Sequence, residues 1–512
     1  MNKLLVIICA FALMASCTTE KKEAVYIPKY VASFDSLAKH NQQPDWFQDA
    51  KLGIYFHWGV YSVPAFGNEW YPRRMHFEDD IAYSHHREKY GHPSEFGYHD
   101  FVPMFKAENF NAKEWVNLFK KAGAKFAGPV AEHHDGYSMW ASDITPWNTR
   151  DTGPMRDITG ELEKEIRAHD MKLITTFHHA RNLQRHDSIP EGNRKQGYRK
   201  SHYPFFDGMP PTSDDEKLKY LYGNIPEEQW LKEVWFGKLK EVIDNYQPDI
   251  IWFDSWLDQI PEATRAEFAA YYLNEADKLN KEVVIIRKQD DLPLDFSLND
   301  LEKSRMNKIG EQSWMTDETI SYGSWCYTEG LRIKPTKDII HVLMDIVSKN
   351  GVLLLNVSPM SNGTIPEDQK KVLLELGAWL ETNGEAVYDT RPWITFGEGP
   401  TKEPEGHFSN HRAFEKLVYS SNDMRYTSKG NSLYATYFGW PDKDKVVLES
   451  FAKGVLDGDL IVKNVDLLGF DGDLKWEKTA KGIEITLPEE AVNDMAIVFK
   501  LDTEGSAKLI EK

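Results

Sequence analysis

The segment Pro248-Asp249-Ile250-Ile251-Trp252-Phe253-Asp254-Ser255 ends a largely apolar run on a carboxylate. An unpaired buried carboxylate is costly, so Asp254 is either an ion-paired structural group or a working one, and position alone leaves both open. The chemistry that would use it needs a partner. Hydrolysis of a glycosidic bond with retention takes one carboxylate as nucleophile and a second, about 5 Å away, as acid and base. Two further clusters also follow apolar runs. Gly53-Ile54-Tyr55-Phe56-His57-Trp58-Gly59, with Glu69-Trp70-Tyr71 just downstream, offers an imidazole, a carboxylate and a flat indole. Ala131-Glu132-His133-His134-Asp135-Gly136-Tyr137 adds adjacent histidines. Neighbours on extended chain point to opposite sides, so His133 and His134 do not easily chelate one ion together. Neutral imidazoles both donate and accept hydrogen bonds, which suits sugar hydroxyls better.

Each cluster follows an apolar strand, so strands of a common sheet must position them. From about Pro44 to Tyr388, short β-rich runs alternate with amphipathic stretches, the pattern of βα units around a parallel sheet. The spacing predicts strands at Leu52–Phe56, Phe126–Ala131, Lys172–Thr176, Ile250–Phe253, Val283–Ile286 and Val352–Val357. Helices are predicted over Ala112–Ala122, Asp157–His169, Glu228–Asn245, Pro261–Asn280 and Asp338–Asn350. The polar clusters follow several different strands and no Gly-rich phosphate loop occurs, which favours an α/β fold of the (β/α)8-like barrel type over an open doubly wound sheet. Met75–His99, with His76, His85, His86 and His92 among many charges, has no clear period and reads as a loop inserted near the rim. From Arg391 onward short alternating strands, Ser432–Phe438, Lys445–Glu449, Leu460–Val465 and Gly482–Leu487, predict a C-terminal antiparallel β-sandwich.

Met1-Asn2-Lys3, the apolar run Leu4 to Met14 and then Ala15-Ser16-Cys17 have the form of a secretory signal. A cysteine directly after small residues resembles a bacterial lipoprotein signal, whose thiol is acylated. The expectation is an exported protein, lipid-anchored in the bacterial envelope at the periplasmic or cell surface; an ordinary cleaved signal would export it unanchored. The expected organisation is a signal at 1–17, a linker at 18–43, a barrel at 44–388 and a β-sandwich at 389–512. Besides Cys9 and Cys17 only Cys326 remains, so no internal disulfide is expected. A formal net charge of -19 argues against a nucleic-acid partner, which needs basic patches that release counterions. No later apolar run is long enough to span a bilayer, so the expected membrane contact is the lipid anchor alone. Aromatics at 13% suit stacking on pyranose faces, but large cores also consume them, so that signal is weak alone.

Taken together, these residues resemble the α-L-fucosidase family of retaining glycoside hydrolases (glycoside hydrolase family 29). Gly53 to Pro64 match its Gly-Ile-Phe-x-His-Trp-Gly-x-Tyr-Ser-Val-Pro motif, Glu69 to Tyr71 its Glu-Trp-Tyr, and Ala122 to Tyr137 its strand leading to Lys-His-His-Asp-Gly-Phe. Arg156-Asp157-Ile158, Tyr246 to Asp254, Val347 to Asn356, Gly363-Thr364-Ile365-Pro366 and the stretch from Leu433 to Pro441 match further family motifs in order. The resemblance spans about Trp46 to Pro441. It implies a (β/α)8-like barrel with a C-terminal β-sandwich, and double displacement through a fucosyl-enzyme ester on Asp254. His57, Glu69, Trp70, His133, His134, Trp252 and Arg287 would contact the fucose hydroxyls, ring or nucleophile. The implied substrate partner is a fucosylated glycan or fucose-containing polysaccharide, with neither a metal nor an organic cofactor. Two departures stand out. Glu132 occupies the place of the family's usual Lys, and Thr176-Phe177-His178-His179 replaces Tyr-Tyr-Ser, so that His178 would substitute for a tyrosine contact. The family draws its acid/base from a variable loop after the nucleophile strand, where this chain offers Glu302, Glu311 and Glu318. Asp300-Leu301-Glu302-Lys303-Ser304 ahead of Trp314-Met315-Thr316-Asp317 resembles an Asp-Tyr-Glu-Arg-Gly run before Trp-Gln-Thr-Asp, which places Glu302 first. The plain alternative pairs Glu302 with Lys303 or Arg305 on a solvated face. A non-catalytic fucose-binding protein on a decayed barrel and a hydrolase for α-L-galactose are the competing readings.

Overall fold

Eight short runs rich in β-branched, aromatic and leucine residues form one parallel sheet: Leu52–Phe56 (β1), Phe126–Glu132 (β2), Lys172–Phe177 (β3), Ile250–Phe253 (β4), Val284–Arg287 (β5), Leu298–Asn299 (β6), Trp314–Thr319 (β7) and Gly351–Val357 (β8). Their order is β6-β5-β4-β3-β2-β1-β8-β7. A parallel bridge from Asp300 to Met315 joins the two ends, so the sheet curls into a nearly closed barrel. This computed structural model describes residues 26–182, 215–406 and 411–510; the expected signal at 1–17 and the start of the linker lie outside them.

Strand alternation sorts the side chains. Tyr55, Val130, Ile174, Trp252, Ile286 and Met315 are among those filling the barrel interior, and Phe47 of the helix Asp45–Ala50 packs into the same cluster from the N-terminal side. Their sequence neighbours Ile54, Phe56, Leu173, Ile251 and Ile285 belong to the layer between barrel and helices. Each large apolar side chain buried in this way contributes about 1.5–3 kcal/mol. Gly128 is required where β2 meets β3, because a Cβ there would stand 1.7 Å from the Ile174 carbonyl oxygen.

The outer helices are Ala112–Lys121, Ile158–Ala168, Gly237–Tyr246, Glu262–Lys278, Thr336–Ser348 and Glu367–Asn383. Capping explains two of the starts: Asn111 and Asp157 accept from the backbone N–H of Glu114 and Gly160. No helix lies between β5 and β6 or between β6 and β7, so the chain from Asp300 to Ser313 runs as a bare loop.

The structure departs from the sequence expectation in three places. β6 is two residues long and β7 reads Trp-Met-Thr-Asp-Glu-Thr, too short and too polar for a periodic signal. Met75–His99 is not wholly irregular, because Asp80 caps a helix over Ile81–Lys89. Its His76 and His86 are buried, His86 among Tyr71, Tyr90, Phe96 and Phe101, so they serve the packing of this rim element.

Beyond Arg391 the strands Arg391–Glu398, Met424–Lys429, Ser432–Tyr437, Ile497–Glu504 and Ile461–Leu467 form an antiparallel sheet in that order. It faces a three-stranded sheet of Lys445–Leu448, Gly482–Thr486 and Lys475–Thr479 across a core that includes Tyr426, Leu433, Leu448 and Ile485. Tyr434, Phe438 and Val498 point the other way, into the layer of barrel helices. No helix among the described residues is long and apolar enough to cross a membrane.

Candidate active site

One polar side chain per strand extends the interior alternation past the apolar filling at the C-terminal mouth: His57, His133, His178, Asp254, Lys288, Asp300, Asp317 and Asn356. On β2 a register shift between Val130 and Glu132 changes the parity, so His133 rather than Glu132 joins this layer. Glu132 turns away and is neutralised by Lys238, whose Nζ lies 2.7 Å from Oε2, and by the Ser138 hydroxyl at 2.6 Å. The family departure at this position is therefore a buried ion pair behind the site.

Asp254 is 8% exposed and flanked by two cations and an imidazole. Lys288 Nζ lies 3.0 Å from Oδ1, and Arg181 Nε and His178 Nδ1 lie 3.1 and 3.2 Å from Oδ2. Burial alone would raise its pKa, but Lys288, Arg181 and His178 outweigh burial and hold the carboxyl well below the usual carboxylate range. The Lys288 ammonium also lies 3.1 Å from Glu302 Oε2 and 3.7 Å from Asp317 Oδ2. Burial disfavours its charge, yet Asp254, Asp317, Glu302 and Asp300 raise its pKa well above that of a free lysine. One ammonium within 3.1 Å of both Asp254 and Glu302 keeps the contacting oxygens no more than about 6 Å apart, inside the separation at which a second carboxylate leaves no room for a water between them. Asp300 and Asp317 form a buried pair, and burial and the Asp317 charge push the Asp300 carboxyl well above its ordinary value against the pull of Lys288.

His57 is fixed by Asn356. Asn356 Oδ1 accepts from the His57 backbone N–H at 3.0 Å and from Nδ1 at 2.8 Å, while its Nδ2 donates to the Trp325 carbonyl. Nδ1 is then the protonated nitrogen, and Nε2 is left as an acceptor. Burial and the neighbouring His178 lower the His57 pKa well below its ordinary value, so the ring is neutral. The His178 ring lies 4.4 Å from that of His133, and His133 and His134 hydrogen-bond through their Nδ1 atoms. The expectation that these two histidines face apart does not hold, because β2 ends at Glu132 and the chain leaves the extended form before them. Trp70 stacks on His134 at 4.0 Å, and the Arg181 guanidinium sits over Trp70 at 4.9 Å and Trp256 at 4.7 Å. Glu69 is buried and accepts from the Trp325 N–H at 3.2 Å; burial, partly offset by backbone N–H groups and by Lys303, raises its carboxyl to about 7.

Trp252 is wholly buried beneath Lys288, whose Nζ stands 4.6 Å over the ring, and so forms the floor of the site. Arg287 is a correction. Its guanidinium binds the Gln289 carbonyl and Asp290, away from Asp254. Inward-facing Val284 and Ile286 on β5 set the parity, and the residue that reaches Asp254 is Lys288. Among the loop carboxylates, Glu318 is tied to Lys334 at 2.8 Å, and Glu311 precedes β7 and so lies at the opposite end of the barrel. Glu302 alone of the three meets the Asp254 cluster. The sequence reading missed Lys288, Arg181, Asp317, Asn356 and Trp325; the alternation along β5 carried a signal for Lys288.

His57, His133 and His178 each offer one nitrogen within 4.8 Å of the others, the spacing of a group able to hold a metal ion. Lys288 and Arg181, paired with the adjoining Asp254, already place two cations beside that position, and a divalent ion would meet their repulsion. Neutral imidazoles over an indole floor, an ionised carboxylate below and a part-exposed carboxyl group at the rim suit a polyhydroxylated ring instead.

Comparison with known proteins points the same way. Residues 14–385 match the sequence model of the family described as Alpha-L-fucosidase, and residues 419–502 match that of the Alpha-L-fucosidase C-terminal domain. The chain is 29% identical to the Tissue alpha-L-fucosidase of Rattus norvegicus over 485 residues, covering 90% of this chain and 91% of the rat protein. It is 30% identical to the Plasma alpha-L-fucosidase of Homo sapiens over 481 residues, covering 89% and 88% respectively. A solved structure of the Thermotoga maritima alpha-fucosidase in complex with fucose superposes with a TM-score of 0.69 at 26% identity, covering 92% of this chain and 100% of that one.

Proposed function

The chain belongs to the α-L-fucosidase family, and on that premise we propose that it removes terminal α-L-fucosyl residues from glycans by a retaining double displacement, with Asp254 as nucleophile and Glu302 as acid/base. It is a glycoside hydrolase of the α-L-fucosidase type acting on fucose-containing glycans. In this reading His57, His133, His178 and Glu69 hold the sugar hydroxyls, and Trp252 and Trp70 shape the floor and wall. Asp254, kept anionic by Lys288 and Arg181, attacks the anomeric carbon as Glu302 gives a proton to the departing glycosidic oxygen. The resulting ester is then hydrolysed by a water that Glu302, now anionic, deprotonates. Lys288 sits between the two carboxyl groups, 3.0 Å from Asp254 Oδ1 and 3.1 Å from Glu302 Oε2, and its charge supports the anionic form of the nucleophile.

The observation that carries this reading is the single ammonium touching both Asp254 and Glu302, which supports a carboxylate separation of the retaining kind. Hydrolysis of an aryl α-L-fucoside followed by proton NMR tests it. α-Fucose is the expected first product, with β-fucose appearing only through mutarotation. β-Fucose formed first would overturn the double displacement.

The same reading puts the enzyme outside the cytoplasm, held by acyl chains on Cys17; the run Met1 to Cys17 supports it. Growth with labelled palmitate should mark the wild-type chain and leave Cys17→Ser unlabelled. Equal labelling of both would remove the anchor from the proposal.

A further inference from the structure

The loop from Asp300 to Ser313 carries Glu302 and has no barrel helix behind it. What lies against its outer side is the C-terminal region. Lys303 is buried, with its Nζ over the Trp325 ring at 4.7 Å and 3.4 Å from Glu415 Oε1. Two residues on, the buried Arg305 lies over the Phe414 ring at 4.7 Å, and its Nε is 3.2 Å from Asp345 Oδ2. Backbone meets backbone as well: a Cβ on Gly406 would stand 2.3 Å from the Arg305 carbonyl oxygen. Asp345 also pairs with Lys349 at 2.7 Å and with Arg425 at 2.5 Å, and Glu403 pairs with the same two cations.

Lys303 adopts a left-handed backbone conformation, φ 48°, which an L side chain rarely holds without external support. Its N–H donates to the Asp317 carbonyl at 2.9 Å on the barrel side, and its ammonium is held by Glu415 on the other. The residue beside Glu302 is thus fixed between the barrel and the second domain. The same ammonium acts on Glu69, whose pKa it lowers against the effect of burial.

We propose that Glu415 is a positioning residue for the reaction: by holding Lys303 it sets where the Glu302 carboxyl stands, so that the C-terminal domain completes the active site. This rests on the reading of Glu302 as acid/base. Displacing a proton donor by about 1 Å costs roughly 100-fold when the donor is needed and little when it is not. The loss caused by Glu415→Gln therefore depends on the leaving group.

The test measures kcat/KM across aryl α-L-fucosides of graded phenol acidity for wild type, Glu415→Gln, Glu415→Asp, Lys303→Met, the Lys303→Met/Glu415→Gln double variant and Glu302→Gln, with a thermal midpoint for each. Glu415→Gln is expected to lose roughly 10- to 100-fold on the least acidic phenols and under about 3-fold on the most acidic, steepening the leaving-group dependence. Glu415→Asp should recover part of that loss, and the double variant should be no worse than the worse single one, since both act through one contact. A uniform loss, or none, in Glu415→Gln while Glu302→Gln steepens the dependence would overturn the positioning role alone. A flat dependence in Glu302→Gln would overturn the acid/base reading and this inference with it. If Lys303→Met does not fold, the Glu415 variants still decide, because Glu415 is a partly exposed side chain whose truncation leaves no buried charge but that of Lys303 over Trp325.

Discussion

Asp254→Gly is expected to lower turnover of aryl α-L-fucosides by at least ~10,000-fold while leaving the thermal midpoint close to wild type. Without the carboxylate no glycosyl ester forms, and the barrel's apolar filling does not depend on this side chain. Azide should restore turnover, because a small anion fits the space vacated beside Lys288 and Arg181 and attacks from the same face. The product would be fucosyl azide of inverted configuration. Near wild-type activity in Asp254→Gly would sink the mechanism.

The cations around Asp254 add a pH signature. Its folded-state pKa lies well below the ordinary value, so the base-form limb of kcat/KM should fall in the acid range, below about pH 4. Lys288→Met removes the ammonium 3.0 Å from Asp254 Oδ1 and leaves burial less opposed, so the Asp254 pKa rises and the acid limb moves to higher pH. Activity at pH 5 relative to pH 7 should drop accordingly. An unmoved limb would mean that Asp254 is not the group whose ionisation sets it.

Glu302→Gln is expected to slow natural fucosides by roughly 100- to 10,000-fold and activated aryl fucosides far less. An alkoxide needs a proton as the bond breaks, whereas an acidic phenolate does not. With good leaving groups the ester should accumulate, since its hydrolysis lacks a base, and a burst of phenol should precede slow turnover. The alkaline limb of the pH–rate profile should disappear in the same variant. A retained limb together with equal losses on both substrate types would show that Glu302 is not the acid/base. The structure leaves little room for its rivals, given Glu318 bound to Lys334 and Glu311 at the far end of the barrel.

Asp254, His57, His133, Glu69 and Trp70 were legible in the sequence because each lies in or beside a run whose residue types and order are local. The six long strands and the outer helices were legible for the same reason, since burial on both faces writes an apolar run and amphipathic packing writes a 3.6-residue period. What the chain order does not carry is which face a residue takes and which distant partner it meets. Arg287 and Lys288 are neighbours of like charge, and only the parity of β5 in the closed barrel sends Lys288 to Asp254 and Arg287 to the loop behind it. Glu132 leaves the site because of a single register shift beside β3. Glu302, Glu311 and Glu318 are carboxylates within one stretch of chain, yet Glu302 follows the C-terminal end of β6, Glu311 precedes the entry of β7 and Glu318 lies near its exit. The sequence by itself therefore determined the barrel, and it offered the nucleophile candidate and the imidazole, carboxylate and indole candidates for a sugar site. The tertiary structure decided which loop carboxylate stands beside Asp254, the cation that touches both and the C-terminal region's grip on that loop, because all three depend on contacts between residues far apart in the chain.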